Sequence, residues 1–425
     1  MPRLVRAVAL CAAVAFVAVA TDARPSKKRA TAVQDPEVWV TIATSDLAAL
    51  ADDLGSKRLA EIVTTYENRG GLTAGVVRES RLGDLSAAMH HRFHRCAGFM
   101  AHASREAALD ALDAPRETHT PATLAYTIDN GPTVQAILAQ VSEPNARFTI
   151  EQMSGFLNRY YTSTTGVQAA QWLKSHWETI GAGRSDVKVQ FFNHAQWAQP
   201  SVIAVVQGTD FPKEVVVIGG HLDSINTQVP SAQRPTASAP GADDDASGVA
   251  SLTETFRAAL AAGYRPARTV MFMGYAAEEV GLRGSQEIAA SFQTSKYQVI
   301  GTLQLDMTNY KGSPTVDIGV LTDASHTNAA QTQFLRDIIT TYMQPLGYTY
   351  QNTTCGYGCS DHSSWHQKGF VASMAFESVF GQHNNNLHKT TDTISISGGN
   401  ANHAVKFSRL AAAYMAELAK GTIVP

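Results

Sequence analysis

An apolar run that stops on two glycines and gives way at once to histidine and aspartate constrains this chain more than any other feature. Residues 215–220 read VVVIGG, and His221-Leu222-Asp223 follow. A short run of Val and Ile suits a buried strand. After a loop rich in Pro, Ser and Ala comes GADDDASG (241–248), where a helix-period segment begins. Imidazole and carboxylates therefore gather at the C-terminal end of a central strand, the place where open α/β sheets put their ligands. A single Asp there is an ordinary N-cap. Asp243, Asp244 and Asp245 in a row repel one another unless a cation lies among them. The stretch predicts a metal site.

From about residue 134 onward strand and helix signals alternate. Strands are expected at 187–193, 201–207, 215–220, 269–275, 299–307, 316–322 and 370–376. Helices are expected at 134–141, 150–160, 168–180, 246–262, 285–292, 328–343 and 404–420. Such alternation predicts an α/β fold, a three-layer α/β/α sandwich around a mixed, mostly parallel central sheet. A length of 425 residues leaves room for a further unit. A net charge of −3 argues against nucleic acid as the main partner.

The first twenty residues predict a signal peptide: two Arg in Met1–Arg6, an apolar stretch from Ala7 to Ala20, and Ala18-Val19-Ala20 as a cleavage site. The apolar run is short for a membrane span. The expected localisation is thus secreted, extracellular or periplasmic, with no membrane association after signal cleavage. Residues 21–120 are expected to be a small α+β pro-segment. Residues 113–133, rich in Pro, Thr and Asp, read as an exposed linker, and 121–425 as the catalytic domain. Within the pro-segment, His90-His91-Arg92-Phe93-His94-Arg95-Cys96 matches no common zinc spacing and is expected to be a packed, partly basic element. Cys355 and Cys359, separated by Gly-Tyr-Gly, predict a disulfide in an exported protein. A thiolate metal site is the rival, one that lacks a second Cys pair.

The other metal candidates sit at strand ends. Glu278 and Glu279 follow the apolar TVMFMGY, and adjacent residues leaving a strand point to opposite sides. Asp306 ends the apolar GTLQLDM, where an unpaired carboxylate is costly to bury. His362 and His366, four apart, read as structural. The set GGHLDS, PGADDDASG, AAEEVGLRGS, LQLDMTNYKGS, TCGYGCSDHSSWH, FES and HKTTDT resembles the bacterial leucyl aminopeptidase type of two-zinc exopeptidase, a secreted group made with a pro-segment. The resemblance spans roughly residues 145–425. It implies two Zn²⁺ per chain: His221 and Asp306 on one, Glu279 and His388 on the other, and Asp244 bridging both. It implies Glu278 as general base, Asp223 as the acceptor of the other His221 ring proton, and Asp392 in a similar role toward His388. Zinc takes imidazole and carboxylate ligands, and cobalt or manganese can bind the same set.

The same resemblance makes Met307, Leu321, Tyr357, Met374, Phe376, Phe380 and Leu387 the lining of an apolar pocket for the first side chain. His383 is expected near its rim. The expected substrates are peptides with a free N-terminus and an apolar first residue. The pro-segment is the expected internal partner, as folding aid or inhibitor, in a monomer. Three rivals stand beside this reading. One is a glutaminyl cyclase. Another is a carboxypeptidase using Arg283 or Lys311 to grip a terminal carboxylate. The third is a non-catalytic binding module.

Overall fold

The computed structural model describes residues 35–113 and 126–424. The expected signal peptide and residues 114–125 of the expected linker lie outside the described residues. Among the described residues no helix is long and apolar enough to cross a membrane.

The N-terminal region runs β1 (Glu37–Ala43), α1 (Thr44–Leu54), α2 (Ser56–Ile62), β2 (Val63–Arg69), β3 (Leu72–Arg78), α3 (Leu82–Phe93), β4 (Met100–His102) and α4 (Arg105–Asp113). Its strands form an antiparallel sheet in the order β2-β3-β1-β4. Val38, Val40 and Ile42 alternate along β1 and are buried, the period-2 signature of a strand with one face on a core. The hairpin of β2 and β3, which pivots on Gly70-Gly71, was not foreseen from sequence.

The larger region continues with α5 (Gly131–Leu138), α6 (Glu143–Ser154), α7 (Thr164–Ile180), β5 (Val187–Phe192), β6 (Ser201–Val206), β7 (Phe211–His221), α8 (Ala246–Ala261), β8 (Tyr264–Arg265), β9 (Arg268–Tyr275) and α9 (Arg283–Gln293). It ends with β10 (Gln298–Leu305), β11 (Ile318–Leu321), α10 (Ala329–Ile338), β12 (Tyr350–Thr353), α11 (His362–Gln367), β13 (Ala372–Phe376), α12 (Ala404–Ala419) and β14 (Thr422–Ile423). Eight strands form one sheet in the order β12-β11-β13-β10-β7-β9-β6-β5. The central strands β13, β10, β7 and β9 run parallel, and β6 and β5 continue antiparallel. This is the expected mixed sheet with helices on both faces.

The unbroken Val/Ile run of β7 now has a reason. Val216 and Ile218 face a core with α8 and α12, including Val249, Leu252 and Phe407. Val215 and Val217 face the opposite core with Ile288 of α9 and Trp365 of α11. A strand covered on both faces needs apolar residues at every position.

Two expectations are corrected. The helix expected at 150–160 instead spans Glu143–Ser154 and is capped at Gly155, and Arg159 beyond it turns inward to donate to the Leu222 carbonyl. The linker expected through 133 is already packed at its end: the backbone N–H groups of Asp129 and Asn130 donate to the Glu417 carboxylate, and α5 starts at Gly131. β12 has no counterpart among the expected elements, and α11 carries His362 and His366, the four-apart pair that helical spacing puts on one face. The N-terminal region also packs on the larger one, and the described residues from Pro36 onward form one compact unit. Its cluster of Val40, Leu50, Leu85 and Phe99 is completed by Tyr160, Tyr161, Trp197, Ile225 and Val280.

Candidate metal centre and its pocket

The carboxyl ends of β7, β9 and β10 deliver the site. His221 is the last residue of β7, Asp306 follows β10, and Glu278 and Glu279 lie in the turn after β9. The acidic run sits at the start of α8, and His388 comes from the loop before α12. All are buried.

Asp244 stands between the two histidines. Its Oδ1 lies 3.0 Å from His221 Nε2, and its Oδ2 lies 3.1 Å from His388 Nε2. Asp306 Oδ1 is 3.7 Å from His221 Nε2, and Glu279 Oε2 is 2.7 Å from His388 Nε2. These approaches lack hydrogen-bond geometry. His221 Nε2, His388 Nε2, Asp244 Oδ1, Asp306 Oδ1 and both oxygens of Glu278 and Glu279 are buried without a hydrogen-bond partner. Nitrogen and oxygen atoms that converge in a dry interior without bonding one another call for a cation. Imidazole and carboxylate donors are what zinc takes, so the residues present fit a zinc centre. Donor atoms of His221, Asp244 and Asp306 all lie within 4.8 Å of one another, and so do those of Cys96, Asp244 and His388.

The electrostatics agree. Burial works against charge on His388, yet Glu279 and Asp244 outweigh it and lift its pKa to about 10. Burial, with Asp244 adding repulsion, lifts Glu279 to about 7. Both shifts report an excess of buried carboxylate over cationic groups, which a dication would neutralise.

The flanking acids do a different job from the one the sequence suggested. Asp245 caps α8: its Oδ1 accepts from the Gly248 N–H at 2.8 Å and the Met307 N–H at 3.1 Å, and its Oδ2 accepts from the His221 N–H at 2.9 Å. Asp243 Oδ1 accepts from the Asn309 N–H at 3.1 Å. The three charges are thus divided: the outer two tie backbone together, and only Asp244 faces both histidines. Asp223 lies 3.6 Å from His221 Nδ1, longer than a hydrogen bond. Its oxygens accept from the Glu278 and Glu279 N–H groups at 2.9 and 3.2 Å, so it holds the turn carrying both glutamates. Asp392 accepts from the Asp243 and Asp244 N–H groups and from Asn384 Nδ2, and His388 Nδ1 has no hydrogen-bond partner. Asp392 therefore holds the acidic run, and the expected bond to His388 is not made.

Met307, Leu321, Tyr357, Met374, Phe376, Phe380 and Leu387 line one pocket, together with Asp306 and His383. Cys355 and Cys359 form a disulfide in the loop that presents Tyr357. His362 and His366 lie on α11 and join no metal-competent group among the described residues. Arg283 is engaged with Glu79 and Gln196 and stacks over Trp197, and Lys311 pairs with Asp317.

Sequence reading missed Arg159 and the role of residues 90–96. Arg159 is fully buried and donates to the backbone carbonyls of Leu222, Pro240 and Gly241, binding the loop after β7 to the acidic run. Nothing in FLNRYY signals this. The segment 90–96, expected to be a packed element of its own unit, instead enters the site: His94 and Cys96 line the pocket, and the His90 ring lies 4.6 Å from that of His388. Its residue types carried the hint, but ligands drawn from distant segments leave no spacing to read.

A model of peptidase family M28 matches residues 201–414. Leucine aminopeptidase 1 of Emericella nidulans is 36% identical over 322 residues, 72% of this chain and 78% of that protein. The aminopeptidase LapA of Legionella pneumophila superposes with a TM-score of 0.77 at 27% identity, covering 92% of this chain and all of that one. A glutaminyl cyclase of Fimbriiglobus ruber shares the fold at a TM-score of 0.52 and 16% identity, covering 66% of this chain and 96% of its own.

Proposed function

The chain belongs to peptidase family M28, and on that footing we propose that it is a secreted two-zinc aminopeptidase that removes apolar N-terminal residues from peptides. The observation that carries this reading is Asp244, one oxygen at 3.0 Å from His221 and the other at 3.1 Å from His388, beside an apolar pocket that starts at Asp306 and Met307. His221 and Asp306 would hold one ion, His388 and Glu279 the other, and Asp244 both. When bound, such a pair polarises a substrate carbonyl and makes water a nucleophile near neutral pH.

The chain's own groups do the rest. Glu278, buried beside Glu279, takes the proton of the attacking water on a carboxylate oxygen and returns it to the departing amine. Asp223 fixes that glutamate through its backbone N–H. The Met, Leu and aromatic lining excludes water from the first side chain and favours Leu, Met or Phe over a charged residue. Arg283 and Lys311 are bonded elsewhere, which supports an amino-end over a carboxyl-end grip.

The test is hydrolysis of a free-amino Leu chromogenic amide and an N-terminal Gln peptide by protein trimmed of its N-terminal region. Each is run before and after chelation, with an amino-blocked Leu control. Chelation-sensitive cleavage of the free-amino Leu substrate alone supports the proposal. Cyclisation of the Gln peptide without Leu cleavage replaces it with the cyclase, and cleavage of the blocked substrate removes the aminopeptidase assignment.

A further inference from the structure

We propose that Cys96 is itself a metal ligand in the untrimmed chain, its thiolate binding the ion at the His388 end of the centre so that the N-terminal region closes the site with a metal–sulfur bond. This rests on the reading of the site as a metal centre. Cys96 Sγ lies 3.6 Å from Asp244 Oδ2, on the oxygen that faces His388. Sγ, a carboxylate oxygen of Asp244 and a ring nitrogen of His388 form a group with all atoms within 4.8 Å. The second observation is independent of the cysteine: His388 Nε2 and both Glu279 oxygens are buried and without a hydrogen-bond partner, and Glu279 Oε2 stands 2.7 Å from His388 Nε2.

The backbone aims the thiol there. α3 is capped by His94 at φ 54°, and Ala97 at 32° and Gly98 at 80° follow, so the chain bends sharply over residues 94–98, the stretch that carries Cys96. The reversal is fastened on both sides. Arg95 donates to Asp46 at 2.6 Å and lies 4.6 Å over the Tyr357 ring. Beyond it, the Ala101 N–H donates to the Gly281 carbonyl at 3.0 Å.

The plain alternative is a buried cysteine acting as a small apolar filler, and Cys96 does touch the apolar cluster of Met307 and Met374. A filler gains nothing from standing against a carboxylate. A thiol there donates S–H to Asp244 while metal-free. With an ion bound, the S–H proton passes to water, the metal–sulfur bond forms, and the water that held that coordination position leaves. No oxidant or reductant is needed.

The experiment uses the full-length chain loaded with cobalt(II), which gives a near-ultraviolet charge-transfer band when a thiolate is bound. Cys355 and Cys359 are joined, and Cys96 is the one free cysteine among the described residues. Wild type should show the band. Cys96→Ser and Cys96→Ala should lose it entirely while binding the same amount of cobalt, and Cys11→Ser should keep it. A wild type that binds cobalt without the band overturns the proposal and leaves the metal centre standing. A chain that binds no cobalt overturns the metal centre first. A band that survives in both Cys96 variants also overturns the proposal, and if neither variant folds, the presence or absence of the band in wild type decides.

Discussion

Glu278 has both carboxylate oxygens buried and free of hydrogen bonds, a poor arrangement for stability and a useful one for moving a proton. Glu278→Gln keeps its shape and removes the base. Turnover should fall by about 10²–10⁴ with metal content unchanged, read by steady-state kinetics beside elemental analysis. Loss of metal together with turnover would make Glu278 a ligand. Asp392 tests positioning. It touches neither histidine ring nitrogen, but its oxygens receive the N–H groups of Asp243 and Asp244. Asp392→Asn should weaken metal affinity by about 10–100-fold, read by competition with a chromogenic chelator. Unchanged affinity would mean that Asp244 is held without it.

Among the elements, the parallel strands β7, β9 and β10 were the most legible in the sequence. Each carries an apolar run, Val215–Ile218 in β7, Val270–Met273 in β9 and Val299-Ile300 with Leu303 and Leu305 in β10, and acidic or imidazole groups follow where each strand ends. That sharp change marks both the element and its functional end. The acidic run was legible as a site but not in its division of labour, since which Asp faces a ring and which caps a helix depends on segments far along the chain. β12 and α11, with four and six residues, are too short to show a period. The β4 strand carries a test of its own. His102 is buried beside Thr41, with its Nε2 2.8 Å from Thr41 Oγ1. Burial, and then the charge of Lys368, push its pKa down to about 3. The unfolded chain therefore takes up this proton first, near the ordinary histidine value of about 6.5. The resulting contribution is complete above that pH and is lost as pH falls toward 3. Thermal unfolding from pH 7.5 to 4.5 should show a shallower decline in His102→Gln than in wild type. Equal slopes would remove His102 from the acid sensitivity.

For the whole molecule, the N-terminal region shares a core with the larger one and lends His94 and Cys96 to the lining of its pocket. We predict that the full-length chain hydrolyses Leu amides at least about tenfold more slowly than the trimmed form, a difference of about 1.4 kcal/mol. Equal kcat/KM before and after trimming would rule out inhibition. The seam has a further consequence. Tyr161, Trp197, Ile225 and Val280 belong to the larger region, and part of their cover is β1, α1 and α3. A cut that releases the N-terminal region bares these side chains in the same stroke that opens the pocket. Removal of that region would leave an exposed aromatic face, with Arg283 still stacked on Trp197 and its partner Glu79 gone. The trimmed chain would then be stickier than the full-length one.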